Sequence, residues 1–300
     1  MIDVLALSVL AGAAQAPHTQ ELLRISTAPA ETLAVTVQGA GTPVVLVPGL
    51  LGGAFGYRKV TDALVERGYR TVVIEPLGTG GSTRPENADY SLTGQADRIA
   101  HVLDSLGIAQ NVLVCHQIGG SMCLRVAYRR PDLVRGIVSI NGGPAERGGT
   151  SGLRRALSLA GFIKFFTGDD FIIGKLRGGL KDSSADPSWV TDDVMHGYTG
   201  AFEDDFGDVL GGMKRIAAAE EPEQLAPNLP DIDIPVRLLI GEGDENGMSD
   251  EELNTLITHL DGLSVERIAD AGQYIQEERP EVVVAAIVEL FATLDAEARR

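Results

Sequence analysis

The chain has 300 residues, of which 44% are apolar and 22% charged, a balance that is typical of a soluble globular protein. That length is enough for one large α/β domain with an insertion and leaves little room for a second full domain. Forty-two acidic and 25 basic side chains give a formal net charge of −17. Such a surface repels nucleic-acid phosphates and anionic lipids, so we expect no nucleic-acid partner.

The first 16 residues have some features of a signal peptide. An apolar run at 5–11 precedes Ala14-Gln15-Ala16, which has the small-x-small form of a cleavage site. Asp3 and the lack of lysine or arginine before the apolar run argue against this interpretation. Both alternatives stay open: export if residues 1–16 are a signal peptide, and a cytoplasmic location otherwise. The run is too short to span a bilayer, so we expect no stable membrane insertion.

Seven apolar runs predict buried strands, and amphipathic stretches between them predict helices. The first two runs, with glycines between them, indicate a hairpin-like pair. Strands that alternate with helices predict right-handed crossovers and a doubly wound, mostly parallel α/β sheet. The strands are predicted at 33–37, 44–47, 69–74, 111–114, 136–140, 236–240 and 264–268, and the helices at 57–67, 92–106, 120–130, 250–260 and 281–296.

The alternation stops between Pro144 and Pro235, where the composition favours helix. An insertion of this size in a doubly wound sheet belongs over the carboxyl ends of the strands, where such folds bind ligands. We therefore predict a helical cap at 144–234, inserted after the sixth strand of such a fold, which is the run at 136–140, on an α/β core at 33–143 and 235–297. Its apolar side chains, which form either the underside of the cap or its own core, are Leu157, Phe162, Ile163, Phe165, Phe166, Phe171 and Ile172.

The two cysteines are Cys115, at the end of a predicted strand, and Cys123, on the helix that follows. Two are too few for a disulfide scaffold, and we expect small buried side chains that point in different directions. Metal-binding spacings such as H-x-x-x-H and C-x-x-C do not occur in the sequence, and we expect no cofactor and no metal.

Five segments occur in the order of a known superfamily. They cover the loop after the second predicted strand, a Gly-rich turn, a strand-to-helix junction, the end of the sixth predicted strand and a segment near the C-terminus. Over about residues 33–297 the chain resembles the capped branch of the α/β-hydrolase superfamily. The segments are 47–53, 75–85, 112–120, 240–245 and 269–281.

The resemblance implies a strained turn at 112–120 that would expose a nucleophile at the top of the sheet. Gln117 stands where the family has serine, and a carboxamide cannot attack a carbonyl carbon. Gln273 stands where the family has its histidine base. Asp244 stands in the position of the triad acid, where it would have no histidine to orient.

The resemblance also implies two backbone donors to an oxyanion. One is the N–H group of Leu50 or Leu51, and the other is that of Ile118, directly after the turn. His116 is expected to point away from the pocket and to be structural. Ser121 lies one helical turn further on and lacks the exposure of a nucleophile.

Removal of a triad member typically leaves about 10³–10⁴ of rate acceleration over water, so we expect ordinary ester hydrolysis to be lost. An apolar pocket with two backbone donors and two amides suits a small apolar carbonyl or carboxylate ligand. The first hypothesis is a non-hydrolytic binder, or pseudoenzyme, which could also have acquired a protein partner. The alternatives are a lyase, decarboxylase or isomerase that stabilises an enolate with Gln117 and the oxyanion amides, and a divergent esterase-like hydrolase. Because no general base other than Asp244 is expected beside the pocket, the first is favoured over the second.

Overall fold

The computed structural model describes residues 20–149, 154–155, 157, 169–243 and 248–300. Within these ranges the strands are β1 (Gln20–Ala28), β2 (Glu31–Gln38), β3 (Pro43–Val47), β4 (Arg70–Ile74), β5 (Asn111–His116), β6 (Val134–Ile140), β7 (Val236–Gly241) and β8 (Leu263–Ile268). They form an eight-stranded sheet with the strand order β1-β2-β4-β3-β5-β6-β7-β8. β1 and β2 pair antiparallel, β2 pairs antiparallel with β4, and the other neighbours are parallel.

Helices cover both faces of this sheet. They are α1 (Arg58–Glu66), α2 (Leu92–Ser105), α3 (Ile118–Arg129), α4 (Asp169–Asp182), α5 (Asp192–Ala218), α6 (Asp250–His259), α7 (Ile275–Glu278) and α8 (Pro280–Glu297). Successive side chains of β3 point to opposite faces: Val45 and Val47 pack in one apolar cluster with α2, α3 and α6, whereas Val44 and Leu46 pack in another with α1 and α8. The doubly wound sheet predicted from the sequence is therefore confirmed.

Two features of the sheet differ from the sequence predictions. β2 and β3 do not form a hairpin, because β4 lies between them and pairs with both. The link between β2 and β3 crosses close to the end of α1, where a Cβ on Gly41 would lie 2.2 Å from the Gly68 oxygen. β1 was not predicted, since this edge strand is largely exposed and its sequence has no buried apolar run.

The chain between β6 and β7 contains α4 and α5. Leu157 packs with Phe206 and Leu210 of α5, and Leu50 and Leu51, from the loop after β3, pack against the same cluster. This contact places part of the inserted segment over the carboxyl end of β3. The boundaries of the cap at 144–234 stay a prediction.

Several predicted features fall wholly or partly outside the described residues. The apolar segment 1–16 lies outside them, as do the cap residues Phe162, Ile163, Phe165 and Phe166. Of the remaining cap residues, Phe171 is exposed and Ile172 is partly buried. Within the described ranges, no helix is both long and apolar enough to cross a membrane.

Candidate functional site

Gln117 lies at the turn between β5 and α3, with φ 51° and ψ −121°. Positive φ is uncommon for residues other than glycine and marks a strained position. The turn is tightly packed: a Cβ on Gly119 would lie 2.7 Å from the Val47 oxygen, and one on Gly142 would lie 2.7 Å from the Gln117 oxygen. The Gln117 N–H group donates to the Ile140 oxygen at 3.0 Å. The strained turn is therefore formed, although its central residue is glutamine.

A disulfide joins the two elements on either side of this turn. Cys115 of β5 and Cys123 of α3 are bonded through their Sγ atoms, with Cα atoms 6.7 Å apart. Both side chains are buried, as expected, but the expectation that they point in different directions was wrong. The reason is that α3 turns back along β5, so that residues before and after the turn face one another.

The loop after β8 brings Gln273 to the same region. Its carbonyl oxygen accepts hydrogen bonds from His116 Nε2 at 2.9 Å and from Asn141 Nδ2 at 3.1 Å. Its N–H group donates to the Ser183 oxygen at 2.7 Å. The main chain of Gln273 is thus held to the strand that precedes Gln117.

His116 points away from the cavity and is almost completely buried. Burial lowers its pKa to about 4, so the ring is neutral at pH 7. Nε2 donates to Gln273, which leaves Nδ1 to accept from Gln276 Nε2 at 3.4 Å. This tautomer follows from the hydrogen-bond network. The role of His116 is therefore to position the loop that carries Gln273.

A cavity of about 610 Å³ brings together the predicted site residues that the structure describes. Its walls include Gln117, Gln273, Leu50, Leu51 and Ile118. Among the described residues, the two side-chain amides make no hydrogen bond to each other and no other hydrogen bond. Cavities of about 300–1,000 Å³ are typical of small-molecule sites. The amides therefore face an open space that a small molecule can enter.

The predicted oxyanion donors lie at the edge of this space. Leu50 and Leu51 follow the end of β3, and Ile118 is the first residue of α3. Within the described chain, the N–H groups of these three residues donate to no main-chain oxygen. Their assignment as oxyanion donors stays a prediction.

The cavity residues that were not identified from the sequence include Glu146, Arg147, Met213, Met248 and Glu252. They come from three distant segments, and only the capping motif Ser249-x-x-Glu252 marks one of their positions in the sequence. The expectation that no general base other than Asp244 lies beside the pocket was wrong, because two glutamates line it. Asp244 itself lies outside the described residues.

Arg125 of α3 is completely buried and joins the start and the end of the inserted segment. Its guanidinium pairs with Glu146 at 3.0 Å and with Glu221 at 3.5 Å. Glu221 also accepts from the Thr93 N–H group of α2 at 3.0 Å. Ser121 donates its hydroxyl proton to a main-chain oxygen at 2.6 Å and is fully buried. Its hydroxyl is therefore not available as a nucleophile.

The Gly-rich turn at 75–85 has a structural role. Glu75 accepts hydrogen bonds from the Ala54 N–H group at 2.7 Å and from the Gly81 N–H group at 2.6 Å. Gly80 has a φ of 46°, and a Cβ there would lie 2.3 Å from the Glu75 carboxylate, so the turn favours glycine at this position. The two hydrogen bonds of this carboxylate hold the turn against the loop that carries Leu50 and Leu51.

Comparison with known proteins agrees with this architecture. A sequence model of the family described as alpha/beta hydrolase fold matches residues 42–187. The chain is 36% identical over 102 residues to a Klebsiella pneumoniae (strain 342) protein named as a carbamate hydrolase, RutD, a match that covers 34% of this chain and 38% of the relative. It is 33% identical over 123 residues to cis-3-alkyl-4-alkyloxetan-2-one decarboxylase of Shewanella oneidensis, covering 40% of this chain and 38% of the relative. The chain thus matches 38% of the length of each of these two curated relatives.

The match to solved structures extends over nearly the whole chain. Superposition on an epoxide hydrolase, CorEH without ligand, gives a TM-score of 0.73 at 18% sequence identity and covers 92% of this chain and 100% of that one. A likeness at this identity shows the fold alone. The protein therefore has the α/β-hydrolase fold.

Proposed function

We propose that this protein binds a small apolar carbonyl or carboxylate compound in the cavity at Gln117 and does not hydrolyse it. One observation carries the proposal: glutamine occupies the strained turn at which this fold presents a nucleophile, and its amide faces the cavity. The nitrogen of a carboxamide is not a nucleophile at neutral pH. The fold therefore supplies a binding site from which the attacking group is missing.

The groups around the cavity have complementary roles in this proposal. The N–H groups of Ile118 and of Leu50 or Leu51 donate to an oxygen of the ligand, and Gln117 and Gln273 each donate and accept. A buried polar group without a partner costs about 1–3 kcal/mol. A ligand that satisfies these groups is therefore bound more tightly than an alkane of the same shape.

Two measurements test this function. We expect no turnover of p-nitrophenyl acetate or butyrate above a heat-denatured control. We also expect butyrate or ethyl butyrate to raise the melting temperature, because each binds only the native state. Gln117→Leu should abolish this rise, whereas Gln110→Leu, on the exposed loop before β5, should leave it unchanged. Stoichiometric labelling by an organophosphonate fluoride, or the absence of stabilisation by any such compound, would contradict the proposal.

A second candidate is an enzyme that stabilises an enolate without a nucleophile. The carboxylate of Glu252 favours it, since this group lines the cavity and is a candidate general base. The similarity to a protein named as a decarboxylase is in keeping with such chemistry. The test is proton exchange at the α-carbon of 2-pentanone in D₂O, followed by NMR. If the protein catalyses this exchange and Glu252→Gln abolishes it, the enzyme replaces the binder as the better account. Turnover of an ester would instead establish the divergent hydrolase.

A further inference from the structure

The main chain beside Arg147 is fixed on both sides. The Ala145 oxygen accepts from the Ser121 hydroxyl at 2.6 Å, and the Glu146 carboxylate accepts from the Leu225 N–H group at 2.9 Å. On the other side, a Cβ on Gly148 would lie 2.5 Å from a main-chain oxygen of α5. The Cα atom of Arg147 therefore has a defined position at the wall of the cavity.

The side chain of Arg147 is exposed, lines the cavity and makes no ion pair or hydrogen bond with the residues that the structure describes. The two acidic residues that line the same cavity are already engaged. Glu146 pairs with Arg125 at 3.0 Å, and Glu252 accepts from the Ser249 N–H group at 2.9 Å. An unpaired guanidinium in a chain of net charge −17 is unexpected, because carboxylates are in large excess.

We propose that Arg147 binds a carboxylate of the ligand, and that the cavity takes a monocarboxylic acid with an ester or ketone group at its other end. This inference rests on the function proposed above. The guanidinium fork offers two parallel N–H donors that match the geometry of a carboxylate. The ester or ketone oxygen lies at the amides of Gln117 and Ile118, and the aliphatic chain between the two groups packs against Met213 and Met248.

The test compares monoethyl adipate, which has one ester and one carboxylate, with diethyl adipate, which has two esters. Binding to the whole protein is measured by titration calorimetry at low salt. Arg147→Ala should weaken binding of monoethyl adipate about tenfold or more, a loss of about 1.4 kcal/mol, and leave diethyl adipate unchanged. Arg147→Lys keeps the charge but not the forked guanidinium, so its affinity for monoethyl adipate should lie between those of the wild type and Arg147→Ala.

Arg267→Ala is the matched control, because it removes the same charge from an exposed residue of the edge strand β8 that lines no part of the cavity. It should bind both compounds as the wild type does. Equal weakening by the two alanine variants, or equal affinity of the wild type and Arg147→Ala for the monoester, would overturn the assignment of Arg147. If diethyl adipate binds in a manner that depends on Gln117 while the monoester binds no better, this inference fails and the proposed function stands. If neither compound binds the wild type, both fail.

Discussion

At the scale of single residues, the backbone conformation of Gln117 exposes its side chain to the cavity at a cost in stability. A residue other than glycine at positive φ costs about 1–3 kcal/mol, and the surrounding structure must hold it there. Gly119 and Gly142 allow this close approach, since a Cβ on either would lie 2.7 Å from a main-chain oxygen. The turn therefore keeps the form that exposes its central side chain even though that side chain is no nucleophile.

Two substitutions of Gln117 should distinguish the effect of backbone strain on stability from the effect of losing the amide. Gln117→Gly and Gln117→Ala both remove the amide, but only the glycine variant also removes the Cβ. We expect the glycine variant to be more stable than the alanine variant by about 1 kcal/mol, after the entropic cost of glycine is subtracted. Urea unfolding measures the difference. Equal stability of the two variants would show that the backbone at 117 is not strained.

His116 should make stability depend on pH. Its pKa is about 4 in the folded protein, where burial disfavours the charged ring, and about 6.5 in the unfolded chain. Between these values the unfolded chain binds more protons, so the free energy of unfolding falls as the pH drops from about 6.5 to 4. The loss at pH 4.5 should be roughly 2–3 kcal/mol.

Urea unfolding of the wild type and of His116→Gln at pH 7 and pH 4.5 tests this prediction. The glutamine side chain can still donate to the Gln273 oxygen but does not titrate, so the variant should lack this part of the pH dependence. Protonation of carboxylates affects both proteins alike and cancels in the comparison. Parallel pH dependences would contradict the assignment of a neutral, buried imidazole.

At the scale of elements, β5, the turn and α3 form one unit, and the loop after β8 is bonded to it through His116 and Asn141. Gln117 and Gln273, the predicted nucleophile and base positions, therefore both line one cavity. The arrangement depends on main-chain groups, and substitution of Gln117 and Gln273 leaves these groups in place.

Gln117→Ser combined with Gln273→His should create weak but measurable hydrolysis of p-nitrophenyl butyrate. Neither single change should suffice, because nucleophile and base act as a unit and their effects are strongly non-additive. Adding Asp244→Asn to the double variant should abolish the activity, since Asp244 is the predicted acid. A double variant that folds normally and is as inert as the parent would show that the turn, the acid or the oxyanion loop is wrongly assigned.

At the scale of the whole molecule, Arg125 connects the sheet layer with both ends of the inserted segment. It bonds to Glu146 before α4 and to Glu221 after α5, and Glu221 in turn accepts from the start of α2. Removal of one partner from a buried ion pair leaves an uncompensated charge and typically costs about 3–5 kcal/mol.

Arg125→Met should therefore destabilise the protein by about 3–5 kcal/mol. Arg130→Met is the control, since Arg130 pairs with Asp104 and Asp132 at the surface and its loss should cost about 1 kcal/mol or less. The free energies come from urea unfolding at pH 7. Similar losses in the two variants would show that the buried cluster does not hold the inserted segment to the core.

The sequence by itself determined the sheet core and the composition of the strained turn. Buried strands and amphipathic helices are encoded by local periodicity, so they can be read without knowing what they contact. The prediction of a strained turn with Gln117 at its centre followed from the resemblance of residues 112–120 to the superfamily. The roles of Gln117, Gln273, Asp244 and the oxyanion amides stay predictions, because they came from resemblance.

Only the tertiary structure decided which strands pair and which distant side chains share the cavity. β4 separates β2 from β3 because crossovers place strands by packing, and local sequence does not record that order. The disulfide between Cys115 and Cys123 depends on how α3 lies along β5. Glu252 and the guanidinium of Arg147 reach the cavity from segments that carry no motif for it. Local patterns specify elements, whereas the contents of a site are set by long-range contacts.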